Sequence, residues 1–396
     1  MTPDRPIALI AGVLILLFIL WDVFETIILP RRVTRMVRFA RYYYRGSWRV
    51  WRKIARVMSA GNRRESFLGY FGPLSLLGLF LVWAAALIFG FALVHYGAGS
   101  AINLAPNEHS GFRADLYLSG TTFFTLGLGD VTPRTELARL ITVLEAGLGF
   151  GFLAIVISYL PVLYGAFSRR EVNISLLDAR AGSPPAASEL LRRHSEPHTV
   201  TALQDYLRDW EIWAAELMES HLSYPVLCYF RSQHNNQSWL AALATILDTS
   251  ALLVAYGQGP VRWQAKLTFA ISRHAIVDLS QVLNSPPQPG AHERLPAEEL
   301  QKLRELLIAA GLSKCSHQED QRLGHLRQMY EPYILALSER LLMPVGAWTP
   351  EKAIRDNWRT SAWARISADA AASSHHHHTA RSAHGAALDP DEEEHF

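Results

Sequence analysis

The residues with the clearest chemical potential form a short polar stretch, TLGLGD, that lies between long apolar runs. It extends from Thr125 to Asp130 and contains two glycines separated by one residue, Gly127 and Gly129. In an ordinary strand successive carbonyl groups alternate in direction, whereas glycine adopts positive φ without steric cost. Two glycines therefore allow the carbonyls to face one axis, where their oxygens can replace the water around a cation. Thr125 can add a hydroxyl at the inner end, and Asp130 can attract cations at the outer end.

Three apolar runs surround this stretch and predict three membrane-spanning helices. They are Ile7 to Trp21, Phe67 to Val94 and Leu140 to Phe167, and the last contains a single charge, Glu145. With its flanks, each run reaches the roughly 20 residues needed to cross a bilayer core. The first run follows a barely basic "MTPDRP" and lacks a small-residue cleavage site, so it is typical of a retained anchor rather than a signal peptide.

The distribution of charge predicts the topology. The net charge of +2 on 396 residues does not indicate a nucleic-acid partner. Between Pro30 and Ser66, however, twelve Lys or Arg residues accompany one acid, and positive segments stay on the cytoplasmic side. The N-terminus is therefore predicted outside and everything from Ser168 onward inside, which is a multi-pass arrangement in the cell inner (plasma) membrane. Two cysteines give neither a disulfide framework nor a zinc spacing.

The segment 114–133 connects the second and third predicted spans, so both of its ends lie on the outer side of the membrane. Its first part, ADLYLSGTTFF, is about three helical turns, which is too short to span. It is predicted to dip into the membrane as a half-helix and to return through TLGLGD as extended chain. Non-helical backbone survives at membrane depth only where it is buried in protein or lines a water-filled path.

The stretch TTFFTLGLGDVTP, with a helix on each side, resembles the pore loop and selectivity filter of the potassium channel superfamily, over about residues 67–167. The resemblance implies passive potassium conduction, with potassium as the permeant species and no cofactor. A ring of carbonyls needs four such loops, which implies a homotetramer. Potassium is expected at four residues, with Asp130 closing the filter outside them: Thr125, Leu126, Gly127 and Leu128.

Two departures from the family pattern concern the support behind the filter. Leu128 stands where the family commonly has an aromatic residue. This departure concerns the selectivity for potassium over sodium, so a weakly selective cation channel stays open as an alternative. Thr121 stands where a bacterial branch has a glutamate. Glu145 is expected to supply the missing acid through hydrogen bonds to Thr121, Thr122 or the filter backbone. The alternative is that Glu145 has no role, either because it stays protonated or because it faces the water on the outer side.

Two residues of the third helix are candidates for the bend of a gate. Gly149 falls at the usual hinge place of the family's inner helices, and Pro161 should kink the helix near the cytoplasmic mouth. Gly147 and Gly151 are equally well explained by close helix packing.

The basic segment has arginine at every third residue over part of its length. This resembles a voltage-sensing helix, but only one helix precedes it, whereas such a sensor needs three. A basic amphipathic helix on the inner leaflet, with segment 31–64 on anionic lipid, fits better. Asp22 and Glu25 are expected to pair with nearby arginines. The four regularly spaced arginines are Arg32, Arg35, Arg38 and Arg41, and the expected partners of the acids are Arg31, Arg32 and Arg35.

The remainder of the chain is predicted to be a helical cytoplasmic domain with an unknown ligand. Apolar residues recur there at spacings of three and four, without strand-like alternation. The segment 239–256 is apolar enough to span, but Asp248 interrupts it and favours a core helix. We find no nucleophile or acid pair that would indicate an enzyme. Four residues can be imagined as metal ligands but match no known spacing: His221, Cys228, His234 and His274.

The predicted fold is therefore an all-α membrane protein with three transmembrane helices, a re-entrant pore helix and a helical cytoplasmic domain. Two alternatives stay open: a membrane-anchored sensor or scaffold with a degenerate pore, and a TLGLGD that is only a tight turn. The predicted divisions are 1–30 (first helix), 31–66 (basic segment), 67–170 (pore module), 171–368 (cytoplasmic domain) and 369–396 (disordered tail with four histidines).

Overall fold

The computed structural model describes residues 4–29, 38–103, 111–194, 200–234, 236–288, 293–309 and 317–349. The predicted tail 369–396 and the end of the predicted cytoplasmic domain lie outside these residues. The described residues are helical almost throughout, which confirms the all-α prediction. The helices are α1 (Asp4–Val23), α2 (Phe39–Val57), α3 (Asn62–Gly97), α4 (Phe112–Phe123), α5 (Glu136–Ala181), α6 (Ala187–Arg193), α7 (Val200–Ser223), α8 (Trp239–Tyr256), α9 (Gly259–Leu283), α10 (Ala297–Ala309), α11 (His317–Gln328) and α12 (Glu331–Leu341).

Short elements complete the chain. A π-helical turn, Phe24–Ile28, extends α1, and a 3₁₀ turn, Pro225–Tyr229, follows α7. Two-residue strands β1 (Ile102–Asn103) and β2 (Thr132–Pro133) pair antiparallel, with Ile102 opposite Pro133 and Asn103 opposite Thr132.

Four described helices are long and apolar enough to cross a membrane: α1 with its extension, α3, α5 and α8. The first three are the predicted spans. In α8 every residue is buried within the C-terminal domain, which we define as residues 187–349. Its Asp248 is buried and paired with Arg294, 2.7 Å between Oδ2 and Nη2, and accepts a 2.6 Å hydrogen bond from the Tyr330 hydroxyl. The structure therefore places α8 in a protein core.

The helix α5 connects the membrane part to the C-terminal domain. It runs for 46 residues without interruption, which is about 70 Å at 1.5 Å per residue. This is more than twice the thickness of a bilayer core of about 30 Å. The helix therefore passes through the predicted boundary at residue 170, because the polar residues after Phe167 end the apolar run without ending the helix.

The helix α2 differs from the predicted surface helix in what it contacts. Trp48 is buried against Phe71 and Tyr229, and its indole Nε1 donates to the carbonyl of Arg340 at 3.0 Å. Arg52 and Arg56 lie 3.2 and 3.3 Å from a carboxylate oxygen of Glu339. These two arginines therefore have a protein partner, because the C-terminal domain packs against α2, and the contact of segment 31–64 with anionic lipid stays a prediction.

The acids at the end of α1 also have partners that the sequence did not indicate. Asp22 accepts a 3.2 Å hydrogen bond from the backbone N–H of Ala40 and one of 3.0 Å from the Trp83 indole, so it caps the first turn of α2. Glu25 lies 3.9 Å from Arg38. The predicted partners Arg31, Arg32 and Arg35 lie outside the described residues.

Candidate functional site

The short helix α4 supports the TLGLGD stretch. It has 12 residues, about 18 Å, and lies between α3 and α5. One side of it is buried, and this side includes Leu118, Ser119 and Phe123. The helix ends where the backbone N–H of Phe124 donates to the carbonyl of Gly120 at 3.2 Å. Its C-terminal carbonyls, which carry partial negative charge, therefore end beside the TLGLGD stretch.

The backbone of the TLGLGD stretch alternates in handedness. Positive φ occurs at Thr125 (56°), Gly127 (56°) and Gly129 (83°), whereas Leu126 and Leu128 between them do not have it. Reversing the sign of φ at every second residue turns successive carbonyls toward the same side of the chain. The glycines were expected to do this, but Thr125 was not, because a β-branched residue rarely adopts positive φ.

Backbone hydrogen bonds attach the inner end of the stretch to α4. The N–H of Thr125 donates to the carbonyl of Thr122 at 2.9 Å, and that of Leu126 donates to the carbonyl of Thr121 at 2.8 Å. The hydroxyl of Thr121 contacts the carbonyls of Tyr117 and Leu118 in its own helix, at 3.1 and 3.0 Å. Thr121 and Thr122 thus support the stretch through their backbone carbonyls.

The outer end is held by Asp130. One carboxylate oxygen accepts from the N–H of Val131 at 3.1 Å, and the other accepts from the hydroxyl of Tyr117 at 2.8 Å. Directly after Val131, the pairing of β1 with β2 joins the chain to the segment that follows α3. The sequence analysis did not identify Tyr117 as the partner of Asp130. The one hint in the sequence is that Tyr117 is the only tyrosine in α4.

Glu145 lies where the sequence predicted, in α5 and fully buried, which excludes the alternative that it faces outer water. Its predicted partners were wrong. The nearest ionisable group is His95 of α3, with 3.4 Å between Nε2 and a carboxylate oxygen. A second buried acid, Asp115 of α4, accepts a 2.5 Å hydrogen bond from the hydroxyl of Ser100. His95 was overlooked because it follows the end of the apolar run at Val94, whereas α3 continues to Gly97.

Gly149 is the point at which α5 meets the end of α4. A Cβ atom at this position would lie 2.1 Å from the carbonyl oxygen of Phe123, so only glycine permits this approach. Gly147 and Gly151 have no atom within 4 Å of the corresponding position among the described residues. The helix is continuous through Gly149 and Pro161. The structure thus gives Gly149 a packing role, and the predicted hinge at Gly149 and Pro161 stays a prediction.

We expect Gly149→Ala to lower stability, because the methyl group must push α5 away from the backbone of α4. Overpacking of this kind costs about 1–3 kcal/mol. Gly147→Ala is the matched control, and the better helix propensity of alanine should leave its stability equal or higher. Thermal unfolding of the purified full-length protein in detergent measures both. Equal destabilisation by the two variants would contradict the close approach at Gly149.

No group of three or more His, Cys, Asp or Glu that could hold a metal ion occurs in the described part of the chain. The imagined ligands therefore form no such group. His221 contacts Arg170 with 3.1 Å between ring Nε2 and Nη1, and His274 lies 3.2 Å from Asp278. Cys228 is a buried free thiol, and burial raises its pKa to about 12.

Comparisons with known proteins agree with this geometry. A family profile described as "Ion channel" matches residues 79–163, which contain α4, the TLGLGD stretch and most of the apolar part of α5. An uncharacterized membrane protein, YdjJ of Bacillus subtilis (strain 168), is 24% identical over 274 residues, which cover 68% of this chain and 76% of YdjJ. Protein LctB of Geobacillus stearothermophilus is 32% identical over 91 residues, which cover 21% of this chain and 67% of LctB. No solved structure matches this chain.

Proposed function

We propose, from the premise that this chain belongs to the family of pore-loop ion channels, that it conducts potassium passively through a homotetrameric selectivity filter. The observation that carries this proposal is the alternation of φ along the filter, with positive values at Thr125, Gly127 and Gly129. A tight turn between two helices would not require three alternating reversals. A backbone that presents successive carbonyls to one axis is what dehydration of a cation requires.

The proposal of a tetramer rests on apolar side chains that are exposed in and beside the filter of a single chain. Phe124, Leu126 and Leu128 are 57%, 60% and 64% exposed. Irregular backbone at membrane depth is not tolerated against lipid, so other protein must surround it. Three further copies around one axis would do so and would complete the ring of carbonyls. Apolar side chains of α5 are also exposed, and they include Leu140, Val143, Phe150 and Ile157.

In the proposed channel, potassium binds at Thr125, Leu126, Gly127 and Leu128, and no cofactor takes part. The carbonyls of Thr121 and Thr122 support the filter from behind, whereas Glu145 lies beside His95. The N-terminus lies outside and the C-terminal domain lies in the cytoplasm of a cell whose inner membrane holds the channel. The twelve basic residues between Pro30 and Ser66, a segment that contains α2, support this orientation.

A weakly selective cation channel is the second candidate, and Leu128 favours it. An aromatic side chain there could hold the width of the filter by packing and by a hydroxyl contact, whereas leucine has no hydroxyl. The outer end depends on the hydrogen bond from Tyr117 to Asp130. In a membrane-anchored sensor or scaffold, by contrast, the filter would have no role.

Flux from liposomes separates these three functions. We expect purified full-length protein in potassium-loaded vesicles to release potassium down its gradient, with block by barium. Sodium-loaded vesicles should release their ion far more slowly. Equal potassium and sodium flux would favour the weakly selective channel, and the absence of both fluxes would contradict an open pore. Cross-linking in detergent checks the subunit number, and a largest species below four chains would contradict the tetramer.

A further inference from the structure

A cavity of about 250 Å³ lies where the end of α1, the helix α2, the helix α5 and the C-terminal domain meet. Four arginines and one glutamate line it, so the cavity is positively charged: Arg38, Arg41, Arg45, Arg340 and Glu25. Glu25 is already engaged, because it accepts from the Trp21 indole at 2.8 Å and lies 3.9 Å from Arg38. The remaining positive charge has no role in the filter.

The arginines of this cavity are only partly satisfied by the protein: Arg38 Nη2 donates to the carbonyl of Glu25 at 3.0 Å, and Arg340 Nη1 lies 3.5 Å from the carbonyl of Asn284. No acid among the described residues lies within 4 Å of Arg41 or Arg45, and the same holds for Arg340. The Nε atoms of Arg38 and Arg340 are buried without a hydrogen-bond partner in the described part of the chain, as is the hydroxyl of Thr26, which also lines the cavity. Buried polar atoms are normally paired, whereas Arg38 Nε has only the Glu25 carboxylate at 3.9 Å and the other two atoms have no hydrogen bond among the described residues, so this cavity has room for a further ligand. That ligand must be an anion with several oxygen acceptors.

The remaining lining indicates that the anion carries an apolar part. Leu29, Tyr44 and Val226 contribute apolar surface. From this cavity, exposed apolar residues run back along one side of α1 and its extension at spacings of three and four: Ile28, Phe24, Trp21, Leu17, Leu14, Ile10 and Ile7. Such a stripe on a membrane-spanning helix faces lipid tails. In the proposed topology the cavity thus lies where a phosphate from the cytoplasm and acyl chains from the inner leaflet can meet.

We propose that this cavity binds the headgroup of an anionic phospholipid, with its phosphate between the arginines of α2 and Arg340 of α12. The size of the cavity fits a headgroup, because sites for whole drug-sized molecules begin at about 300 Å³. The acyl chains then lie along the exposed stripe of α1. The lipid joins α2 to the C-terminal domain.

The same cavity touches the proposed gate. Tyr159 of α5 lines it, two residues before Pro161. Its ring packs edge-on against Phe80 of α3 and against Tyr224. Lipid occupancy therefore bears on the position of α5 where that helix leaves the membrane, and it provides a route by which the membrane composition can regulate the pore.

Lipid retention by native mass spectrometry tests the site without reference to ion flux. Full-length protein in neutral detergent is incubated with phosphatidylglycerol, with phosphatidylcholine or with sn-glycerol 3-phosphate. We expect phosphatidylglycerol to bind best, and Arg340→Gln to weaken it about fivefold, the typical contribution of one basic residue near a membrane surface. Arg41→Gln should act similarly, and it preserves the fold because this half-exposed arginine has no acidic partner among the residues that the structure describes. The double variant should lose about 25-fold.

Arg49→Gln is the matched control, because Arg49 is exposed on the same helix and does not line the cavity. A loss in this variant equal to that in Arg41→Gln would mean general electrostatic attraction and would overturn the site. Equal retention of phosphatidylcholine would overturn the requirement for an anion. Binding of sn-glycerol 3-phosphate as strong as that of the lipid would identify a soluble phosphate ligand and overturn the lipid. A protein that binds lipid as expected but carries no ions would contradict the channel and leave this site intact.

Discussion

Gly129→Ala is expected to abolish potassium flux from liposomes while the protein remains folded and assembled. Gly129 has φ of 83°, a value that L-residues rarely adopt. Alanine in the left-handed region costs about 1–2 kcal/mol, and in the proposed tetramer this cost applies four times around one axis. The TLGLGD stretch can relieve that cost by rotating the peptide group. In the proposed channel such a rotation removes a carbonyl from the ring, and the ion loses a ligand.

The effect should come from backbone conformation and not from crowding. At both Gly127 and Gly129 no described atom lies within 4 Å of the position that a Cβ would take. Gly127→Ala should therefore behave in the same way, since its φ is 56°. Gly46→Ala is the matched control, because Gly46 lies in α2 with nothing nearby and without a positive φ. Wild-type flux through Gly129→Ala, at equal protein incorporation, would show that the alternating backbone does not conduct.

Thr125 shows the same backbone conformation without glycine. Its φ of 56° is achieved without glycine, so the strain is carried by a β-branched residue. The hydrogen bond from its N–H to the carbonyl of Thr122 helps to hold that conformation. The sequence could not indicate this, because residue type alone argues against positive φ at threonine. The constraint comes from the end of α4 and from the filter that follows.

The predictable part of the site rests on local chemistry. An apolar run of about 20 residues must span, a segment of three turns cannot, and glycine permits positive φ, whatever the rest of the chain does. These arguments placed the filter between α4 and α5 and predicted the burial of Glu145. The same reasoning treated Asp248 as a sign of a core helix. In the structure the acid is tolerated in that core because it is paired with Arg294.

The partners of these residues could not be predicted, because they come from distant parts of the chain. Glu145 lies beside His95, which is 50 positions earlier, and Asp130 accepts from Tyr117 in the preceding helix. Both contacts depend on how α4 lies between α3 and α5. The contact of α2 with the C-terminal domain has the same origin, since Glu339 reaches Arg52 only after the whole domain has folded.

Arg170→Gln is expected to lower the free energy of unfolding by about 3–5 kcal/mol, the typical cost of breaking a buried charge network. The guanidinium is buried at the end of the membrane part of α5. Its Nη1 donates to the carbonyl of Leu227 at 3.1 Å, and its Nη2 donates to that of Phe230 at 3.0 Å. Glutamine is too short to reach both, so buried carbonyls lose their donors. Urea unfolding of the full-length protein in detergent, followed by tryptophan fluorescence, measures this loss.

The neighbouring arginine provides the matched control. Arg169 is exposed, so Arg169→Gln removes the same charge one residue away and should change stability by less than about 0.5 kcal/mol. Trp213 is a suitable reporter, because its indole Nε1 donates to the carbonyl of Arg170 at 3.1 Å. Equal effects of the two substitutions would mean that the charge of this region matters and the buried network does not.

The pH dependence of stability gives the network a second, independent signature. Burial, followed by the charge of Arg170, holds the pKa of His221 well below its usual range. The folded protein therefore binds fewer protons at His221 than the unfolded chain does below about pH 6.5, and stability must fall as the pH falls through that value. The slope contributed by this one group approaches about 1.4 kcal/mol per pH unit. His221→Gln should remove that contribution, whereas Arg170→Gln should only reduce it, because the ring is still buried. An unchanged acid limb in His221→Gln would assign the pH dependence to other groups and would leave Arg170 as a purely hydrogen-bonding anchor between the pore and the C-terminal domain.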